Sequence, residues 1–255
     1  MSYSDLDWEV KAIGQMALRW VEDARIEEQL AGCKGIVDEI WQKKCSQNKS
    51  KLFNGALLNW VGLRKEKDGA QVTGHFIEYK YFLAAKERPD LNLNIYPIAV
   101  SGISLLNDQG VRYAVFARRS QNVSSYPGHL EFVPSGSIDR KFAVQNGSVD
   151  FQAQLQSEFC EETGLAADCI KEMIPFACIL DTYDRVYDIC CRILIDVRKD
   201  VIIDQLSRSG EYQNPVVVAE EELAEFVKSQ RASMIPSSVA LLDAYHQAKK
   251  SGKVF

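Results

Sequence analysis

Glu158, Glu161 and Glu162 stand at spacing i, i+3 and i+4. On a helix that spacing stacks three carboxylates on one face within about one turn. Like charges so placed repel by roughly 0.2–0.5 kcal/mol per pair. A divalent cation removes the repulsion, and an all-oxygen ligand set suits Mg²⁺ or Mn²⁺. Such an ion can neutralise a bound anion and acidify a bound water. The competing reading is a solvated acidic helix face, which any protein can carry.

Other groups invite chemistry less strongly. Arg118 and Arg119 end a strand-like run in an acidic chain. A guanidinium grips phosphate oxygens in pairs, but neighbours on a strand face opposite ways, so one of the two is expected to enter a site. The other reading of each is a surface ion pair. Asn54 and Gly55 could approach a base or sugar, or simply form a bend. His75, His129 and His246 are scattered; His129, behind Pro127-Gly128, is nearest the expected cleft. Trp8, Trp20, Trp41 and Trp60 read as core anchors.

The elements that must position these groups follow from periodicity. Phe151, Leu155 and Phe159 give the glutamate segment one apolar face, as an amphipathic helix requires. Ser148 or Asp150 can cap its start and Gly164 can supply the left-handed residue after its end. Strands are expected at 96–106, 111–118, 130–133, 174–181, 186–197 and 215–219, with closing helices at 220–230 and 237–249. Upstream, 5–47 reads as helices interrupted at Gly32 and Gly35 and ending in the polar 46–50 stretch. A hairpin over 51–79 turns at Lys65–Gly69, and a short helix runs through Leu83 and Ala84. Pro89 and the Asn92/Asn94 region suggest a boundary, dividing the chain into 1–92 and 93–255. Strands flanking a central helix, with helices at the end, imply an α/β/α sandwich with a mixed sheet and an N-terminal helical and hairpin extension.

The chain has 255 residues, 46% hydrophobic and 25% charged, with net charge −5. That is enough apolar material for a sizeable core, and the balance argues against a nucleic-acid binder. No apolar run is long enough to span a membrane. Seven cysteines occur without C-x-x-C or zinc-like spacing. The odd count and the lack of a recognisable secretory leader lead us to expect reduced thiols and a cytoplasmic protein.

Residues Ser157-Glu158-Phe159-Cys160-Glu161-Glu162-Thr163-Gly164-Leu165 resemble the second half of the Nudix hydrolase box, G-x5-E-x7-R-E-U-x-E-E-x-G-U with U apolar. Ser157 stands where the family has arginine. Gly136 lies 21 residues before Ser157 against a family spacing of 14, so the loop is longer by about seven, and Val149 falls where the family has its first glutamate. In the family those two lost residues brace the loop against the helix. Arg118–Val123, Tyr126-Pro127-Gly128, Phe132–Gly136 and Phe53-Asn54-Gly55 follow the order of a branch that cleaves UDP-glucose and related UDP-sugars, which extends the resemblance to about residues 51–250.

The resemblance implies metal ligands at Glu158, Glu162, Glu161 and the Gly136 carbonyl, with Glu161 or Glu211 as base and Arg118, Arg119 and Asn54 at the substrate. Glu211 lies in the loop where Nudix proteins often place a metal-binding or basic glutamate; an exposed loop glutamate is the plain alternative. The implied activity is Mg²⁺-dependent cleavage of a nucleoside diphosphate-linked small molecule, a UDP-sugar giving UMP and sugar 1-phosphate. An ADP-ribose or dinucleotide pyrophosphatase shares the chemistry. A nucleotide-binding regulatory module that has lost turnover is the reading from another class. The N-terminal part could cap the domain, recognise substrate or form a homodimer.

Overall fold

Trp8, Val10 and Ala12 alternate with Glu9 and Lys11, a two-residue period that belongs to a strand. The computed structural model describes residues 8–12, 15–47, 52–67, 69–123 and 126–252, and in it this segment is extended. Strand β1 (Trp8–Ala12) and strand β2 (Gln15–Trp20) therefore replace the first of the expected helices. The apolar residues there fit helical spacing loosely, but strict alternation fits better. Ile13 and residues 48–51 of the expected pattern lie outside the described residues. Helix α1 (Ala24–Gln47) runs unbroken through Gly32 and Gly35, both exposed with open space around them. Two glycines cost about 1 kcal/mol each in a helix. Burial of Leu30 and Val37 against the hairpin offsets that cost.

The hairpin forms as expected, from β3 (Ala56–Glu66) and β4 (Gly69–Glu78), followed by α2 (Tyr79–Glu87). Next come β5 (Ile98–Asp108), β6 (Val111–Arg119), β7 (Leu130–Phe132), β8 (Ser135–Ser137) and β9 (Ser148–Val149). The glutamate helix is α3 (Phe151–Thr163). Strands β10 (Ile170–Asp181) and β11 (Val186–Ile195), helix α4 (Lys199–Arg208), strand β12 (Tyr212–Ala219) and helices α5 (Leu223–Gln230) and α6 (Pro236–Lys250) complete the chain. The sequence reading did not foresee α4, although Ile202 and Leu206, one turn apart, are its buried face.

The larger sheet runs β1-β10-β11-β5-β6-β12, with β7 on β6 and β8 on β5. It is mixed, since β11 and β5 are parallel while the other pairs are antiparallel. Successive side chains leave a strand on opposite faces. Ile103, Leu105, Phe116 and Ile179 accordingly pack against α6, while Val100, Val115, Ile189 and Ile193 pack against Leu155 and Phe159 of α3 and Ile202 of α4. The result is the expected α/β/α sandwich. A second sheet, β3-β4-β2-β9, joins the α3 side of the core through Leu18, Leu58 and Val72. Residues on both sides of position 92 are thus hydrogen-bonded together, β1 to β10 and β2 to β9.

Trp20, Trp41 and Trp60 are partly exposed rather than central. Each rests on another aromatic ring: Trp20 on Phe76, Trp41 on Tyr79, and Trp60 stacked on Tyr187 at 3.7 Å between centroids. All seven cysteines are free, and no described helix is long and apolar enough to cross a membrane.

Candidate metal and diphosphate site

The apolar face of α3 fixes the orientation of the acidic one. Phe151, Leu155 and Phe159 are buried under the sheet. The Asp150 carboxylate accepts from Ala153 N–H at 2.9 Å, and Gly164 closes the helix in the left-handed region at φ 70°. This geometry turns Gln154, Glu158 and Glu162, one turn apart, toward the segment that ends in β8. Ser135 N–H donates to Glu162 Oε1 at 3.3 Å. Gly136 lies so close to Glu158 that a Cβ there would fall 2.6 Å from Glu158 Cγ and nearer still to its carboxyl group. A side chain at this position would force the Glu158 carboxylate to move.

The helix glutamates differ in environment. Glu161 is exposed and its Oε1 accepts from the Ser157 hydroxyl at 2.7 Å. Glu158 is half-buried; burial, opposed by the Gln154 hydrogen bond and reinforced by Glu161 and Glu211, pushes its carboxyl up to about 7. Glu162 is 3% exposed, and burial, with Glu131 and Glu211 nearby, raises it well above the carboxylate range. Its Oε2 is buried without a hydrogen-bond partner. Leaving a polar atom in that condition costs about 1–3 kcal/mol, more for a charge.

Glu131, on β7, belongs to the same cluster, and the sequence reading passed over it. It is 1% exposed, its Oε1 accepts from Arg119 Nη1 at 2.6 Å, and its Oε2 has no partner. Burial raises its carboxyl, with Arg119 pulling the other way. Its only sequence signal was a lone acid inside an otherwise apolar strand, Leu130-Glu131-Phe132. Tyr212, 1% exposed, adds a hydroxyl without a hydrogen bond of normal geometry, close enough to Glu131 to favour its charged form. Glu211 precedes it, its carbonyl accepting from Ser120 N–H at 2.8 Å, and its charge acts on Glu131, Glu158 and Glu162. Beside it, Ser209, Gly210, Tyr212 and Gln213 line a polar cavity of about 470 Å³.

The two arginines take opposite sides, as strand geometry requires. Arg119 turns to Glu131, while Arg118 donates to the Gly128 carbonyl at 3.2 Å and to Gln230 of α5 at 3.4 Å. Asn54 stands apart from the cluster: its amide donates to Glu78 at 2.5 Å and its Oδ1 accepts from Lys80 N–H at 2.9 Å, capping α2. His129 packs edge-on against Tyr126.

The missing brace has a replacement. Gln154, 2% exposed, accepts from Asp139 N–H at 2.8 Å and donates to Glu158 Oε1 at 2.6 Å, tying the loop to the helix. Val149 is buried opposite Leu18. Arg19 donates to the Asn146 carbonyl at 2.7 Å and the Trp20 indole to the Val144 carbonyl at 3.2 Å. The lengthened loop is thus sewn to β2.

The hard oxygens of Glu131, Glu158, Glu161, Glu162 and Glu211, with orphaned oxygens on Glu162 and Glu131 and a glycine beside Glu158, suit a divalent cation. Among the described residues, however, no three acidic, histidine or cysteine side chains already surround one point as ligands. A separate buried acid, Asp188 of β11, accepts from the Ser101 hydroxyl at 2.6 Å and has its other oxygen unpartnered.

No family model and no curated protein matches the sequence. Several solved structures resemble it in shape. The NUDIX domain of Shewanella oneidensis NrtR, complexed with ADP ribose, is 10% identical, with 59% of this chain and 86% of that one covered at TM-score 0.42. A mutT/nudix family protein from Listeria innocua is 14% identical, covering 61% and 94% at 0.42. A C. elegans Ap4A hydrolase binary complex is 14% identical, covering 61% and 98% at 0.35. Identities and scores this low place no constraint on activity.

Proposed function

We propose that the protein is a Mg²⁺-dependent hydrolase of a nucleoside diphosphate-linked compound, and that a UDP-sugar, cleaved to UMP and sugar 1-phosphate, is its substrate. The observation that carries this reading is the close approach of the Glu158 carboxyl to Gly136, beside a buried Glu162 with an unpartnered oxygen. Glu158, Glu161, Glu162 and the Gly136 carbonyl would hold Mg²⁺ or Mn²⁺, which when bound neutralises the diphosphate and acidifies a water. Glu161, exposed, or Glu211, beside the open cavity, takes the proton from the attacking water. Arg119 stands at the end of β6 beside Glu131, while Arg118 reaches from the opposite face toward Gly128 and Gln230; both, with Asn54 on the hairpin side, are the groups offered to the substrate. The UDP-sugar assignment rests on the sequence resemblance, and the cytoplasmic location is a separate expectation from the cysteine usage.

Purified protein with Mg²⁺ is assayed on UDP-sugars, ADP-ribose, dinucleotides and oxidised nucleoside triphosphates. Cleavage of UDP-sugars supports the assignment; turnover of ADP-ribose or dinucleotides alone moves it to those pyrophosphatases, and activity on triphosphates alone sinks it. Glu161→Gln and Glu162→Gln are each expected to cost about 10²-fold or more in rate. The absence of a preformed three-ligand cluster among the described residues favours a second reading, a nucleotide-binding module without turnover. Calorimetry showing tight binding of the intact nucleotide and no cleavage with any divalent ion selects it.

A further inference from the structure

Three polar atoms are buried without a hydrogen bond of normal geometry: Glu131 Oε2, Glu162 Oε2 and the Tyr212 hydroxyl. Their residues are 1%, 3% and 1% exposed. Glu131 acts electrostatically on Glu162 and on Tyr212, and Glu162 acts on Tyr212. They come from three elements, β7, α3 and β12, so their meeting is a product of the tertiary fold. Buried polar atoms are nearly always satisfied, and three orphans within one electrostatically coupled cluster mark a missing partner. The fixed positive charge in contact with them is Arg119, which is spent on the other oxygen of Glu131. One guanidinium cannot offset two buried carboxylates with Glu158 and Glu211 close by.

We propose that Glu131 is a further carboxylate of the metal centre, its free oxygen and that of Glu162 together taking a divalent cation such as Mg²⁺ or Mn²⁺. The inference rests on the metal-dependent reading above and adds a ligand from outside the glutamate helix. Arg119 is then a positioning residue: it fixes Glu131 by one oxygen and leaves the other for the cation. A proton shared between the two carboxyls is the alternative that the experiment separates.

The full chain is stripped with chelator and titrated with Mn²⁺ alone, by calorimetry and by the paramagnetic resonance of free Mn²⁺. Glu131→Gln keeps size and still accepts from Arg119, so its metal-free melting temperature is expected to equal or exceed that of the parent. Its Mn²⁺ affinity should fall about tenfold or more, or one equivalent should vanish. Glu131→Asp, which changes size but keeps charge, should retain more affinity than Glu131→Gln. Parental Mn²⁺ affinity and stoichiometry in Glu131→Gln overturn the proposal and favour the shared proton. If Glu162→Gln abolishes binding while Glu131→Gln does not, the helix site stands and this inference alone fails. A parent protein that binds no Mn²⁺ defeats the metal-dependent reading as well.

Discussion

Gly136→Ala tests the contact that carries the functional reading. The added methyl would overlap the Glu158 side chain, lying 2.6 Å from its Cγ. Gly136 is held on β5 opposite Val100, so the flexible partner must give way. Moving Glu158 breaks its 2.6 Å hydrogen bond from Gln154. A hydrogen bond to a charged group is worth about 1.5–3 kcal/mol. At about 2–4 °C per kcal/mol for a chain of this size, the melting temperature should fall by roughly 3–12 °C. Mn²⁺ affinity should fall at the same time, because the carboxylate no longer sits where the metal needs it. Gly62→Ala is the control: nothing lies within 4 Å of its added methyl. It should change stability by less than about 0.5 kcal/mol and leave Mn²⁺ binding as it was. Calorimetric melting and Mn²⁺ titration are run on all three proteins. If Gly136→Ala matches the parent in both, Glu158 is not confined by Gly136 and the argument for the site collapses.

Three other perturbations have defined outcomes. Burial, opposed by the Ser101 hydrogen bond, pushes Asp188 from 3.8 to about 7. The folded state therefore holds this proton more tightly, so the stabilisation is complete below about 3.8 and lost as pH rises through about 7. The span corresponds to on the order of 4 kcal/mol; Asp188→Asn should raise stability at pH 8 and flatten that part of the profile, and a parental profile would remove the argument. Asn54→Ala deletes the cap on α2 and should cost about 1 kcal/mol in denaturant unfolding; a changed KM at unchanged stability would instead give Asn54 a direct role at the substrate. Gln154→Leu cuts the link between Asp139 N–H and Glu158, leaving a buried N–H unsatisfied at about 1–3 kcal/mol. Proteolysis within residues 139–150 should quicken, and an unchanged cleavage rate would show that the β2 contacts alone hold the loop.

Legibility in the sequence tracked how local each cause was. The glutamate helix, its Asp150 cap and its Gly164 terminator are set by neighbours along the chain, and they stand where periodicity puts them. The hairpin and the strands over 98–119 are equally local. Residues 8–20 were misread because short apolar segments satisfy helical and extended spacing together until a partner strand decides. Glu131 escaped notice because nothing near it in sequence marks it; its significance comes from Arg119, Glu162 and Tyr212. Gln154 was missed for the same reason, since its partner Asp139 lies across a loop that only the fold brings back.

The pairing of β1 with β10 has a consequence for how the chain reaches this state. Residues 8–12 find their partners at 177–181, so the first strand made waits for most of the chain before it can be placed. Closing so long a loop is entropically slow, and contacts of this kind lower folding rates. Until β1 docks, β10 presents an unpaired edge beside β11, the kind of surface on which chains aggregate. Removing residues 8–20 would leave that edge open permanently and expose β4 and β9 as well. Truncation of these residues is therefore expected to trade a smaller protein for an insoluble one.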